Sequence, residues 1–180
     1  MELNYIKLYV PYVKIKLYDP EMDDNLIKSI DQYCHELENK TNVQAGMTSY
    51  QSHDRPGFDR LAAHALNNVE ETSLRSMHFG GVNATLIDIW GARYTKDDYT
   101  RSHNHYPADW AFCYYLAIPE NAPGLTFISK IDGVEKTRHT IEIENNCIYY
   151  WPAHIDHLVE PGNFEGYRYC CAGNIKIKDI

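Results

Sequence analysis

The sequence predicts a mainly β domain, an antiparallel sandwich or barrel with helices packed on one face. Three observations carry this. After residue 82 the chain breaks into short alternating apolar and polar runs: Thr85 to Trp90, Ala111 to Ile118, Leu125 to Ile131, Val134 to Ile143, Cys147 to Trp151 and Tyr167 to Ile177. Strands at such short spacing close into sandwiches or barrels. Asp132-Gly133, between two of these runs, is a hairpin-turn signature. Before residue 80, by contrast, the apolar period is that of a helix.

Taken in order, residues 5–17 read as a first strand or pair of strands. Ile6, Leu8 and Val10 alternate with Tyr5, Lys7 and Tyr9, and Val13, Ile15 and Leu17 repeat the pattern after Pro11. Asp19-Pro20 ends it. Leu26, Ile30, Tyr33 and Leu37 then follow i, i+4, i+7, i+11, an amphipathic helix with Asp23 or Asp24 as its expected cap. Residues 40–57 are polar, carry Gly46, Pro56 and Gly57, and read as a long loop. A second helix is expected over 58–78 with Leu61, Ala65, Leu66 and Val69 on its apolar face, stopped by Gly80-Gly81. No linker, repeat or low-complexity stretch interrupts the chain. Residues 1–180 therefore read as one domain, with helical support mainly over 20–80 and the β core mainly over 82–178.

Bulk properties narrow the function classes. The net charge of −8, with no Lys/Arg stripe, argues against nucleic acid as a partner. No run approaches the ~18 apolar residues of a membrane helix. Met1 to Lys7 lack the pattern of a signal peptide, so the expected address is the cytoplasm. The five cysteines, Cys34, Cys113, Cys147, Cys170 and Cys171, are odd in number and lie in apolar runs. They read as small buried hydrophobes rather than as a disulfide framework.

The chemistry-bearing residues cluster in two segments. His103-Asn104-His105 places two imidazoles at alternate positions, which share a face on a strand. His157 on a neighbouring strand would complete a metal site. Arg168, eleven positions later, adds a fixed charged fork suited to a carboxylate. Together they point to a metal that holds an acidic cosubstrate. His154, three residues before His157, stands as either ligand or neighbour, whereas His35, His53, His64, His78 and His139 read as solvated.

The order of motifs resembles a known family. His103-Asn104-His105 is followed by Tyr114-Tyr115-Leu116, then Trp151-Pro152 leading to His157, then a strand from Arg168 to Asn174; Leu8 to Pro11, Gly46 to Ser49 and Trp90 to Tyr94 precede them. This resembles the small Fe(II)- and 2-oxoglutarate-dependent oxygenases of the bacterial and phage type, related to prolyl hydroxylases. The resemblance implies a double-stranded β-helix, a jelly-roll of cupin-like form. It implies Fe(II), 2-oxoglutarate and O2 as cofactors, with decarboxylation of 2-oxoglutarate coupled to C–H oxidation, and a cytoplasmic place in a bacterium or a phage-infected host cell. It assigns His103 and His157 to the metal, Arg168 to the far carboxylate of 2-oxoglutarate, and Tyr115 and Tyr94 to the same cosubstrate.

One departure from the family matters. The wider superfamily uses two histidines and a carboxylate, and here the carboxylate position is His105. Either His105 is a ligand in a three-histidine site, or Asp109 or Asp156 reaches in as the carboxylate. Two other readings stand beside the oxygenase: a cupin-type metalloprotein that does not use 2-oxoglutarate, and a non-enzymatic β-rich binding module. The primary substrate, small molecule or peptide, is not written in the sequence. The loops at 40–57 and 119–124 are expected to shape the entrance, with Gln51, His53, Asp54 and Arg55 as candidate contacts. The strand near 5–17 leaves a homodimer open.

Overall fold

A computed structural model describes residues 12–76 and 82–179. Its elements are β1 (Val13–Lys16), α1 (Pro20–Tyr33), β2 (Val43–Gln44), β3 (Gly46–Met47), α2 (Phe58–Ser76), β4 (Val82–Tyr94), β5 (Tyr99–His103), β6 (Trp110–Ala117), β7 (Leu125–Ile131), β8 (Val134–Ile141), β9 (Cys147–Pro152), β10 (Asp156–Val159) and β11 (Arg168–Asp179). The expected strand over 5–11 and the Gly80-Gly81 stop lie outside the described residues.

The strands form two antiparallel sheets. A six-stranded sheet runs β1-β9-β6-β11-β4-β3, and a five-stranded sheet runs β2-β5-β10-β7-β8. Alternation assigns each strand two faces. On β6, Ala111, Cys113 and Tyr115 pack between the sheets, while Phe112, Tyr114 and Leu116 pack outward under the helices. The large sheet is thus apolar on both faces. This is why β6 and β9 are apolar almost throughout rather than alternating as expected.

Helix α1 starts at Asp19, not at Asp23 or Asp24. Pro20 opens the helix, where a missing N–H costs nothing, and Asp19 Oδ1 accepts from the Met22 N–H at 3.1 Å. Asp23 instead accepts from the Tyr114 hydroxyl at 2.7 Å and ties α1 to the sheet. Met22, Leu26 and Ile30 form the buried stripe. Tyr33 is only half-buried, and Leu37 lies beyond the helix, against the inter-sheet core.

Ile30 presses onto Gly91 of β4, where an added Cβ would sit 2.3 Å from Ile30 Cγ1. Gly91→Ala is therefore expected to lower stability by about 1–3 kcal/mol through overpacking, read as a shift of the denaturant midpoint at constant slope.

The loop over 40–57 contains two short strands, β2 and β3, that pairing with β5 and β4 creates. Arg55 is drawn into an ion pair with Glu36 at 2.8 Å. Asp132 and Gly133 both take positive φ, 51° and 75°, as a two-residue hairpin turn requires. Among the described residues, no helix is long and apolar enough to cross a membrane.

Candidate metal and anion site

The imidazoles come from different elements. His103 ends β5 and His157 lies on β10, and the two face each other across the ladder. His105 does not continue β5. It sits in the following loop, where its N–H donates to the Ala153 carbonyl at 2.7 Å. Its ring lies against Trp90 of the opposite sheet, centroids 5.9 Å apart. The predicted shared strand face therefore gives way to a loop anchored on both sheets, and the outcome is still convergence. One ligand atom from each of His103, His105 and His157 lies within 4.8 Å of the others.

Backbone carbonyls orient two of the rings. His103 Nδ1 lies 2.8 Å from the Arg101 carbonyl and His157 Nδ1 lies 3.1 Å from the Ile155 carbonyl. A carbonyl only accepts, so Nδ1 carries the proton and Nε2 offers its lone pair to the cluster. His105 Nε2 stands 3.2 Å from His157 Nε2. Two nitrogens bound to one cation at ~2.1 Å and at right angles lie about 3 Å apart, so this pair is already spaced as ligands. Burial lowers the pKa of all three rings; that of His105 is pushed down to about 3 by burial and then by His103. They are neutral at pH 7, the form that binds metal.

Arg168 opens β11 directly opposite Tyr94. It is only 1% exposed, and its Nε and Nη1 have no acceptor among the described residues. Its guanidinium lies over the rings of Tyr94 and Tyr115, at 4.7 and 5.1 Å from their centroids. Burial opposes the charge; Tyr115, Cys170 and Tyr94 raise the pKa above the usual arginine value only where they are ionised, so at pH 7 the neutral phenols offer the guanidinium no counter-charge. Among the described residues no carboxylate pairs with it. A buried, unpaired cation is costly, which makes this position suited to an incoming anion. Burial also keeps the Tyr94 and Tyr115 phenols protonated, hence able to donate. Tyr94 is positioned by Thr100, hydroxyl to hydroxyl at 2.6 Å.

A recess of about 50 Å³ joins these groups, lined by the three histidines, Tyr94, Tyr115 and Arg168. It adjoins a wider cleft of about 310 Å³ that His103, His105 and Trp90 also line.

The alternative carboxylates are occupied elsewhere. Asp109 accepts from the Ile177 N–H at 2.8 Å and from Lys176 Nζ at 3.1 Å. Asp156 is paired with Lys130 and accepts from Asn104 Nδ2 at 2.9 Å. Neither belongs to the cluster, because strand pairing turns both toward lysines. His154 is exposed. Of the loop candidates, Gln51 and His53 are exposed and Arg55 is spent on Glu36. The sequence marks Trp90 and Trp151 as motif residues but assigns them no contact with the histidines: Trp90 backs His105, and the ring of Trp151 edges onto His157 at 4.9 Å. The alternation Asp88, Trp90, Ala92, Tyr94 just upstream was the available signal.

Several solved structures share this architecture. A prolyl-4-hydroxylase from Pseudomonas putida superimposes with a TM-score of 0.62 at 13% identity, covering 93% of this chain and 92% of that one. The fold is that of the 2-oxoglutarate oxygenases. HygX from Streptomyces hygroscopicus, with nickel and 2-oxoglutarate bound, superimposes with a TM-score of 0.63 at 10% identity, over 93% of this chain and 82% of that one. The viral collagen prolyl hydroxylase of Paramecium bursaria Chlorella virus-1, as a 2-oxoglutarate complex, gives 0.58 at 14% identity, over 91% and 94%. No family model and no curated protein matches the chain. The double-stranded β-helix expected from the sequence is thus present.

Proposed function

We propose that the protein is an Fe(II)- and 2-oxoglutarate-dependent oxygenase of the hydroxylase type, carried by one domain over residues 1–180. The observation that supports this most is the buried guanidinium of Arg168, short of acceptors, in the recess that leads to three neutral imidazoles. A cupin-type protein that binds metal alone has no use for such a cation. His103, His105 and His157 would hold the metal through Nε2 lone pairs, leaving positions open on one side. Arg168 would take the far carboxylate of 2-oxoglutarate, with Tyr94 and Tyr115 as neutral donors beside it.

When bound, Fe(II) supplies O2 activation coupled to decarboxylation of 2-oxoglutarate, with C–H oxidation of the substrate. The chain's part is positioning. Trp90 and Trp151 lock the rings of His105 and His157, and Phe127 behind Trp151 helps keep water from the recess. Three uncharged ligands leave the dication unbalanced, so the anionic cosubstrate and the metal should each strengthen binding of the other. The five cysteines are free and buried, which suits the reducing cytoplasm.

With Mn(II) present, saturating 2-oxoglutarate is expected to stabilise the protein by about 2.7 kcal/mol at a hundredfold excess over Kd, roughly 5–10 °C in Tm, and by far less without metal. With Fe(II) and O2, succinate should appear. Equal shifts with and without metal, and no succinate, would overturn the reading.

A further inference from the structure

The wider cleft has a polar floor that the chemistry above does not use. Along the inward face of β4 and β11 the register sets Arg168 opposite Tyr94, Ala172 opposite Trp90, and Asn174 opposite Asp88. Six residues, roughly 20 Å of strand, separate the Arg168 end from the Asn174 end. Trp90, against His105, lies between them. The cosubstrate's end and the Asp88–Asn174 end are therefore on opposite sides of the histidines.

Asp88 and Asn174 both line the cleft. Asp88 Oδ1 and Asn174 Oδ1 are shielded from water and have no donor among the described residues. Asn174, the cross-strand partner of Asp88, presents its amide oxygen as the second unfilled acceptor. No lysine or arginine among the described residues pairs with Asp88. Burial raises its pKa, the response of a carboxylate that lacks a countercharge.

The ladder slips just here. Asn174 faces Asp88 but Ile175 faces Leu86, so Ile87 is an extra residue that bulges out. Ile87 is 46% exposed and lines the cleft with Tyr50, Tyr106 and Trp90. Tyr50 stands edge-on to Trp90 at 5.1 Å. Aromatic faces around an unpaired carboxylate favour a cation over an anion or a plain alcohol. Two unfilled acceptors favour a group with several N–H donors. The chain's net charge of −8 acts in the same direction.

We propose that Asp88 and Asn174 form the recognition end for the primary substrate, and that this substrate carries an ammonium or guanidinium group. Asp88 and Trp90 are two residues apart, about 7 Å of strand. On the oxygenase reading, on which this last step rests, the oxidised carbon lies a few bonds from the cation.

The probe is n-butylguanidinium, with 1-pentanol as the neutral comparator. Each is titrated into the full chain by ligand-observed NMR near neutral pH, with and without Mn(II) and 2-oxoglutarate. The cation should bind at least ~10-fold tighter than the alcohol, as a charged hydrogen bond of about 1.5–3 kcal/mol implies. Asp88→Asn should erase that preference while metal-dependent 2-oxoglutarate binding persists. With Mn(II), relaxation of the probe's terminal methyl should be enhanced. Equal binding of cation and alcohol, or a preference kept in Asp88→Asn, overturns the proposal. If Asp88→Asn does not fold, the wild-type protein decides: affinity that ignores salt, or a probe untouched by Mn(II) that the protein is shown to bind, overturns it. A cation preference in a protein that fails to bind 2-oxoglutarate would sustain the Asp88 site and count against the oxygenase reading alone.

Discussion

Arg168→Met is expected to weaken metal-dependent 2-oxoglutarate binding by about 30-fold to several thousandfold, and to raise the Tm of the ligand-free protein. The first effect follows from removing one partner of a buried, hydrogen-bonded charge pair, which costs about 2–5 kcal/mol. The second follows from the same burial with the opposite sign. In the free protein the guanidinium is 1% exposed and short of acceptors. Met has a similar reach and nothing to desolvate, so the substitution removes a penalty that only a bound anion offsets. Arg168→Lys should fall between, because it keeps the charge but loses the planar fork. Titration calorimetry and thermal melts on the same preparations read both effects. A variant that melts lower and binds 2-oxoglutarate as before would mean that Arg168 is a structural cation.

His105→Ala is expected to weaken metal binding more than about 100-fold, while Asp109→Asn changes it less than about threefold. Residues that merely support a ligand cost 10–100-fold when removed, so a ligand should cost more. The contrast tests the departure from the two-histidine, one-carboxylate pattern. Asp109 is satisfied by Lys176 and the Ile177 N–H, so its loss should act on the loop rather than on the ion. His105 reaches His157 at 3.2 Å and has no other side-chain hydrogen bond among the described residues. Retained Co(II) or Mn(II), measured after gel filtration with circular dichroism as the folding control, distinguishes the two. Metal kept by His105→Ala and lost by Asp109→Asn would restore the carboxylate.

Much of this architecture is legible along the chain, and particular residues show why. Period-two alternation is a local property, and it correctly separates the two faces of β11 and, beyond the bulge at Ile87, of β4. It puts Trp90 with Tyr94, and Arg168 with Cys170, on one side. Asp132-Gly133 needs only its own backbone preferences to turn. The cap of α1 departs from expectation because Asp23 has the side chain of a capping residue too; a hydroxyl from Tyr114, ninety-one positions away, claims it instead. The strands β2 and β3 are invisible in the sequence, since two-residue strands exist only through their partners.

What the sequence determined alone was composition of chemistry: three imidazoles, a guanidinium, and strands with one face free to carry them. These follow from short-range sterics and side-chain type. Tertiary structure decided which groups are left unpaired. Lysines reached Asp109 and Asp156, whereas no counter-ion among the described residues reached Arg168 or Asp88. Pairing across a sheet depends on register and burial, and those are set by contacts far apart along the chain.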